Sequence, residues 1–387
     1  MDDFSLLIRT SCINIKGFIL FDMKARNVNL NLYLIVALLV FNVSFAKPQS
    51  SNLSAGDDSH ELTVYVFPTL KPLDWTSPSS LYKSTMNSYL KTIFLTDNYL
   101  LGHMAIKLQT SLLDKPLLTA QTSCGMDEKR KLLFNEKIGL GILGATLKGR
   151  MEPAKELMRK LNVYARRDKI TFIKYKLNEK STLRIIDFVK MYSSNMMQRK
   201  SQSGFYGGTF WPRYRYEGAG CSAFAVAVLE LAGIQPPDSS GWKINVKIPM
   251  NLIGGKFNNG KKIKSGDIKR TLQWHNGEGE KNVNYFSYTI YDPTFIYNWV
   301  KNKMQNITSG YQVVSENGVL GLLVDATTVE CDEHEPIFLD NDAPDLFVAA
   351  HFQEYKEFPF AEISADSLQR MQVPDILKLD STSVTRH

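Results

Sequence analysis

Residues 221–231 read Cys-Ser-Ala-Phe-Ala-Val-Ala-Val-Leu-Glu-Leu, a stretch apolar on nearly every side of a helix. A helix without a polar face is stable only when other elements cover all of it, so the fold has to wrap this segment. Gly233 suits the residue just past the helix end, and Pro236-Pro237 prevents continuation. Ahead of it, Glu217-Gly-Ala-Gly220 is a glycine-rich turn that delivers Cys221 to the first helical turn. Helix N-termini carry partial positive charge and unpaired N–H groups. Both favour thiolate over thiol, and the thiolate is the nucleophilic form. The backbone N–H of Cys221 is also a candidate oxyanion donor.

The N-terminus reads as a targeting segment. Residues 32–41 are ten unbroken apolar positions, preceded by Lys24 and Arg26 and followed by Ser44-Phe-Ala46. This is the three-part pattern of a secretory signal peptide over residues 1–46, with Met23 a candidate start. The apolar run is short for a membrane span, so no stable span is expected after cleavage and the mature chain is expected to be secreted or periplasmic. Residues 47–60 are polar and read as a linker. Removal of residues 1–46 lowers the net charge only from +7 to +6, with no run of five like charges, so nucleic-acid binding is not indicated. Cys12 goes with the leader and leaves Cys124, Cys221 and Cys331. An odd number in an exported chain points to a free thiol. A Cys124–Cys331 disulfide with Cys221 free is one partition, and three reduced thiols is the other.

Residues 61–67 alternate and are β-branched and aromatic, hence a strand, and residues 103–110 and 117–123 read as a hairpin. Residues 138–147 are glycine-punctuated strand or turn, 169–175 a strand, and 154–161 and 182–192 helices. Residues 201–220 form a long glycine- and aromatic-rich loop, a type that is often functional. Strands are expected over 242–248, 285–291 and 319–326, a helix over 294–304, and a less regular acidic tail holding His334 and His351.

On the strand from residue 103, Met104, Ile106 and Leu108 share one face and read as core, while His103 shares the other with Ala105 and Lys107. His103 is therefore the candidate base for Cys221. A base needs a third group to orient it. Gln121, on the returning strand of the hairpin, is the candidate, its amide carbonyl accepting from the ring N–H. Hairpin register, which decides this, is open. Cys331-Asp-Glu-His334-Glu335 contains ligand-type residues but no second cluster at zinc spacing, so no metal or cofactor is expected. There is no Walker loop, dinucleotide fingerprint or Gly-x-Ser-x-Gly elbow.

The order of Gly102-His103-Met-Ala-Ile106 before Gly220-Cys221-Ser-Ala-Phe224 resembles the circularly permuted papain-like enzymes, the permuted NlpC-type hydrolases and the lecithin retinol acyltransferase group. The resemblance covers about residues 61–235. It implies an α+β fold in which an antiparallel sheet packs on a central Cys-bearing helix. Residues 236–387, outside the resemblance, are expected to add strands and an acidic tail that completes the core or extends it. It also implies Cys221 as nucleophile and His103 as base of a cysteine hydrolase acting on an amide or ester. Peptide, cell-wall or acyl substrates are the expected partners. A secreted binding protein without catalysis, or a lipid acyltransferase, are the alternatives on the same fold.

Overall fold

The structure, a computed structural model, describes residues 59–93, 99, 101–124, 126–194, 201–236 and 241–355. Residues 1–58, which hold the expected leader and most of the expected linker, lie outside the described residues. His60, assigned to the linker, instead opens the first strand, where its Nδ1 meets Thr110 Oγ1 at 2.6 Å.

The chain is α+β. Its main sheet has six strands in the order β10-β11-β6-β1-β2-β3. They are β1 (His60–Phe67), β2 (His103–Gln109), β3 (Leu117–Thr119), β6 (Thr171–Leu177), β10 (Gln312–Glu316) and β11 (Val319–Asp325). Leu62, Val64 and Val66 of β1 meet Met104, Ile106 and Leu108 of β2 in one buried layer. The alternation predicted from residue 103 onward therefore gives one core face. The other face is not left open, as Tyr65, Phe67, Ala105 and Phe172 form a second buried layer there.

The expectation of a wholly antiparallel sheet is corrected: β11 runs parallel to β6, with Gly321 opposite Phe172 and Asp325 opposite Lys176. A parallel pair needs a long crossover, and here the chain between residues 177 and 319 provides it. Gly321 permits the pairing, since a Cβ there would lie 2.5 Å from the Phe172 carbonyl oxygen.

Eight helices are described: α1 (Pro78–Ile93), α2 (Met126–Arg130), α3 (Ala154–Arg166), α4 (Glu179–Ser193), α5 (Cys221–Leu231), α6 (Ser265–Arg270), α7 (Pro293–Gln305) and α8 (Leu346–Tyr355). The all-apolar segment is α5, buried at nine of its positions, with Phe224 against Phe188 and Tyr192 of α4. Burying side chains such as Phe224, Val226 and Leu229 stabilises by about 1.5–3 kcal/mol each, which is why the helix sits inside.

Two smaller sheets complete the fold. One joins β4 (Gln121–Ser123), β5 (Leu147–Met151) and β7 (Phe205–Tyr206); the other joins β8 (Lys243–Pro249) and β9 (Tyr285–Tyr291). The tail is less irregular than its composition suggests. His351 lies on α8, buried, with Nε2 at 2.9 Å from the Tyr216 carbonyl oxygen. Among the described residues no helix is long and apolar enough to cross a membrane.

Candidate active site

Cys221 is the first residue of α5, with Gly220 as N-cap at φ −76° and ψ 159°. The turn before it is forced close to β7. A Cβ on Gly218 would stand 2.0 Å from the Phe205 carbonyl oxygen, so only glycine allows the approach. On the facing strand, Gly102 has φ +75° and would press a Cβ to 2.9 Å from the Phe67 carbonyl oxygen. These two glycines set the start of β2 and the start of α5 against each other.

His103 and Cys221 come together there, both buried and close enough for each to shift the other's titration. Burial opposes a charged imidazole, but the Cys221 thiolate, then Glu152, outweigh it and raise His103 to about 9. Burial likewise opposes the thiolate, yet the His103 charge and hydrogen bond, with the Met104 backbone N–H and the Ser222 hydroxyl, lower the thiol below its ordinary value. The pair therefore favours thiolate and imidazolium together.

The group beside the imidazole is Glu152. Its Oε2 lies 3.0 Å from His103 Nε2. That oxygen stands off the line of the ring N–H, so the contact holds the ring by charge more than by an aligned hydrogen bond. Glu152 is fully buried; burial would raise its carboxyl, but His103 and Lys160 override this and take it down to about 2. Lys160 pairs with the other oxygen, and the Tyr99 hydroxyl donates to the carboxylate at 3.0 Å. The Tyr99 ring stacks on the His103 ring, centroids 3.8 Å apart at 19°, and the Lys160 ammonium lies 4.4 Å from the Tyr99 ring centre. Such stacking fixes the plane of the imidazole.

Gln121 is placed elsewhere. The returning strand of the hairpin breaks at Ala120, whose carbonyl accepts from the Glu152 N–H at 2.7 Å. Gln121 then pairs with Met151 in the second sheet, and its Nε2 donates to the Ser203 and Phe205 carbonyls at 2.9 and 3.0 Å. It braces the loop ahead of Cys221, and the third position beside His103 falls to Glu152, the residue after β5. Nothing in the sequence separates Glu152 from other carboxylates that precede a helix; only the i, i+4, i+8 row Glu152, Glu156, Lys160 hints at a charged line.

Tyr206 was not singled out from sequence either. Its half-buried phenol lies beside Cys221, and desolvation followed by the thiolate charge raises its pKa. Tyr206 and Cys221 both border a groove of about 650 Å³ that also touches Gly102, Trp211, Trp242 and Tyr291. The loop over residues 201–220 forms one wall and is tied by Gln202 Nε2, which donates to the Tyr214 and Glu217 carbonyls at 3.1 and 2.8 Å.

All three described cysteines are free thiols, so no Cys124–Cys331 bridge forms. Cys124 Sγ instead donates to the Gly149 carbonyl at 3.6 Å, and Cys331 lies beside Gly233 at the far end of α5. Among the described residues no group of three or more His, Cys, Asp or Glu converges as a metal site. Asp332 accepts from the His334 and Glu335 N–H groups in a local turn.

No protein-family profile, no curated protein and no solved structure matches the chain.

Proposed function

We propose that the chain is an exported cysteine hydrolase of the permuted papain-like kind, cleaving an amide or ester. The observation that carries this reading is the contact of a lowered-pKa thiol with a charged, carboxylate-backed imidazole at the edge of a groove. The export element rests on the leader pattern in residues 1–46.

The Cys221 thiolate attacks the substrate carbonyl, forming a C–S bond while the carbonyl π electrons move to oxygen. The Tyr206 hydroxyl, beside the thiol, is the donor this reading assigns to that oxygen. Collapse breaks the C–N or C–O bond, and the His103 imidazolium gives its proton to the leaving group. Neutral His103 then takes a proton from water, whose oxygen attacks the thioester and returns Cys221 as thiolate and His103 as imidazolium. Glu152 stays ionised throughout and stabilises the imidazolium.

The test is labelling with a thiol-directed acyl probe. Wild type is expected to be labelled, and a folded Cys221→Ala variant is not. Equal labelling of the two would remove the hydrolase reading and leave a secreted binding protein on this fold.

A further inference from the structure

The groove does not end at the thiol. Ala223, Val226 and Glu230 line it at i, i+3 and i+7 from one stripe of α5. Nine residues separate Cys221 from Glu230, about 13 Å at 1.5 Å per residue. That distance spans about four residues of extended chain. Trp211, Trp242, Tyr291 and Val226 also line the groove and offer no ionised group.

Two opposite charges border the far end. Glu230 accepts from Arg213 Nη1 at 2.8 Å through Oε1. The buried Arg213 also serves Glu335 through Nη2 at 2.8 Å, so two carboxylates share one guanidinium. Burial leaves the Glu230 carboxyl above its ordinary pKa in spite of Arg213, as an under-compensated carboxylate should be. Lys243 also borders the groove. Its ammonium lies 5.0 Å from the Tyr291 ring centre and is near enough to Glu230 to pull against the rise of that carboxyl, but no direct ion pair joins the two. A half-open carboxylate and an ammonium that face the same end of the groove without a direct bridge between them are complementary to a group that carries both charges.

We propose that the groove selects substrates whose end remote from the scissile carbonyl, by about four residues, is a free amino-acid head, with its ammonium on Glu230 and its carboxylate on Lys243. This rests on the cysteine hydrolase reading and adds the substrate class to it. Charge pairs in a partly desolvated groove discriminate through such complementarity, and a neutralised partner leaves a buried charge unmatched.

The experiment uses four peptidyl acyloxymethyl ketones of equal length. The distal residue is joined through its side chain, with both α-groups free, with the amine acetylated, with the carboxylate amidated, or with both blocked. The rate of Cys221 labelling is expected to fall about tenfold for each blocked charge, equivalent to about 1.4 kcal/mol. Glu230→Gln should abolish the penalty for acetylation alone, and Lys243→Met the penalty for amidation alone. Equal labelling by all four probes, with Cys221→Ala unlabelled, overturns the head-group assignment and leaves the nucleophile intact. A penalty that persists unchanged in both variants also overturns it. Failure of all four to label folded wild type overturns the hydrolase reading and this assignment together.

Discussion

The Glu152 carboxylate stands 3.0 Å from Nε2 of His103, and the two residues arrive from the ends of strands in different sheets. Their junction is made by backbone: Glu152 N–H donates to Ala120, and the Thr119 hydroxyl donates to the Glu152 carbonyl at 3.2 Å. The His103 ring is therefore held at the seam between two sheets.

Removing that carboxylate should move the pH profile. The mechanism needs protonated His103 to release the leaving group, so wild-type activity is expected to fall as pH rises through about 9. In Glu152→Gln the imidazole loses the carboxylate charge and its pKa drops toward the ordinary value of about 6.5, so the alkaline limb moves to lower pH. The same shift carries a stability term. His103 has a raised folded pKa, so its contribution is full below about 6.5 and is lost as pH rises through about 9. Rates of iodoacetamide alkylation and of substrate turnover, both from pH 5 to 10, read the effect. An alkaline limb that stays in place would exclude Glu152 as the orienting group.

Tyr206→Phe tests the assigned oxyanion donor. The ring stays and the hydroxyl beside the thiol goes. Loss of one oxyanion donor lowers kcat by about 100-fold or more. KM is expected to change little, because the donor acts on charge that develops only in the transition state. A change confined to KM would make Tyr206 a wall of the groove and nothing else.

Glu217 offers a stability measurement independent of catalysis. It is buried, accepts from the Trp211 N–H at 2.9 Å and from Asn341 Nδ2 at 2.6 Å, and burial lifts its carboxyl to about 7 despite those bonds. A raised carboxyl favours the neutral form in the folded state. Stability from this group is thus full below its unfolded value of about 4.5 and is lost as pH rises through about 7, by about 3 kcal/mol at most. Glu217→Gln should flatten the difference between urea midpoints at pH 5 and pH 8. If the variant keeps the wild-type difference, the pH dependence arises at another group.

Cys221 and His103 stood out as candidates because each sits in a short-range pattern: a glycine turn into an apolar helix, and a strand with period-two alternation. Both signals are local, and local patterns survive without knowledge of the tertiary fold. Glu152, Tyr206 and Lys160 were not legible, because each reaches the site through pairings between distant segments. Gln121 shows the limit most directly. The hairpin that put it near the base is real over residues 117–119, but one residue, Ala120, ends the pairing and hands the chain to another sheet. Register of that kind is set by the partner strand, and β5 lies about 30 residues further on. The buried His351 was hidden for a related reason: acidic surroundings in sequence say nothing about which face of α8 turns inward.

The parallel pairing of β6 with β11 gives the molecule an order of assembly. β6 ends at Leu177 and its neighbour begins at Val319, so a chain growing from its amino end carries an unpaired β6 edge until β11 has been made. Asn341, which holds the Glu217 carboxylate just ahead of Cys221, is made later still. A nascent chain thus contains its cysteine and its histidine long before the framework that holds them together, and the pair is assembled only at the last stage of synthesis.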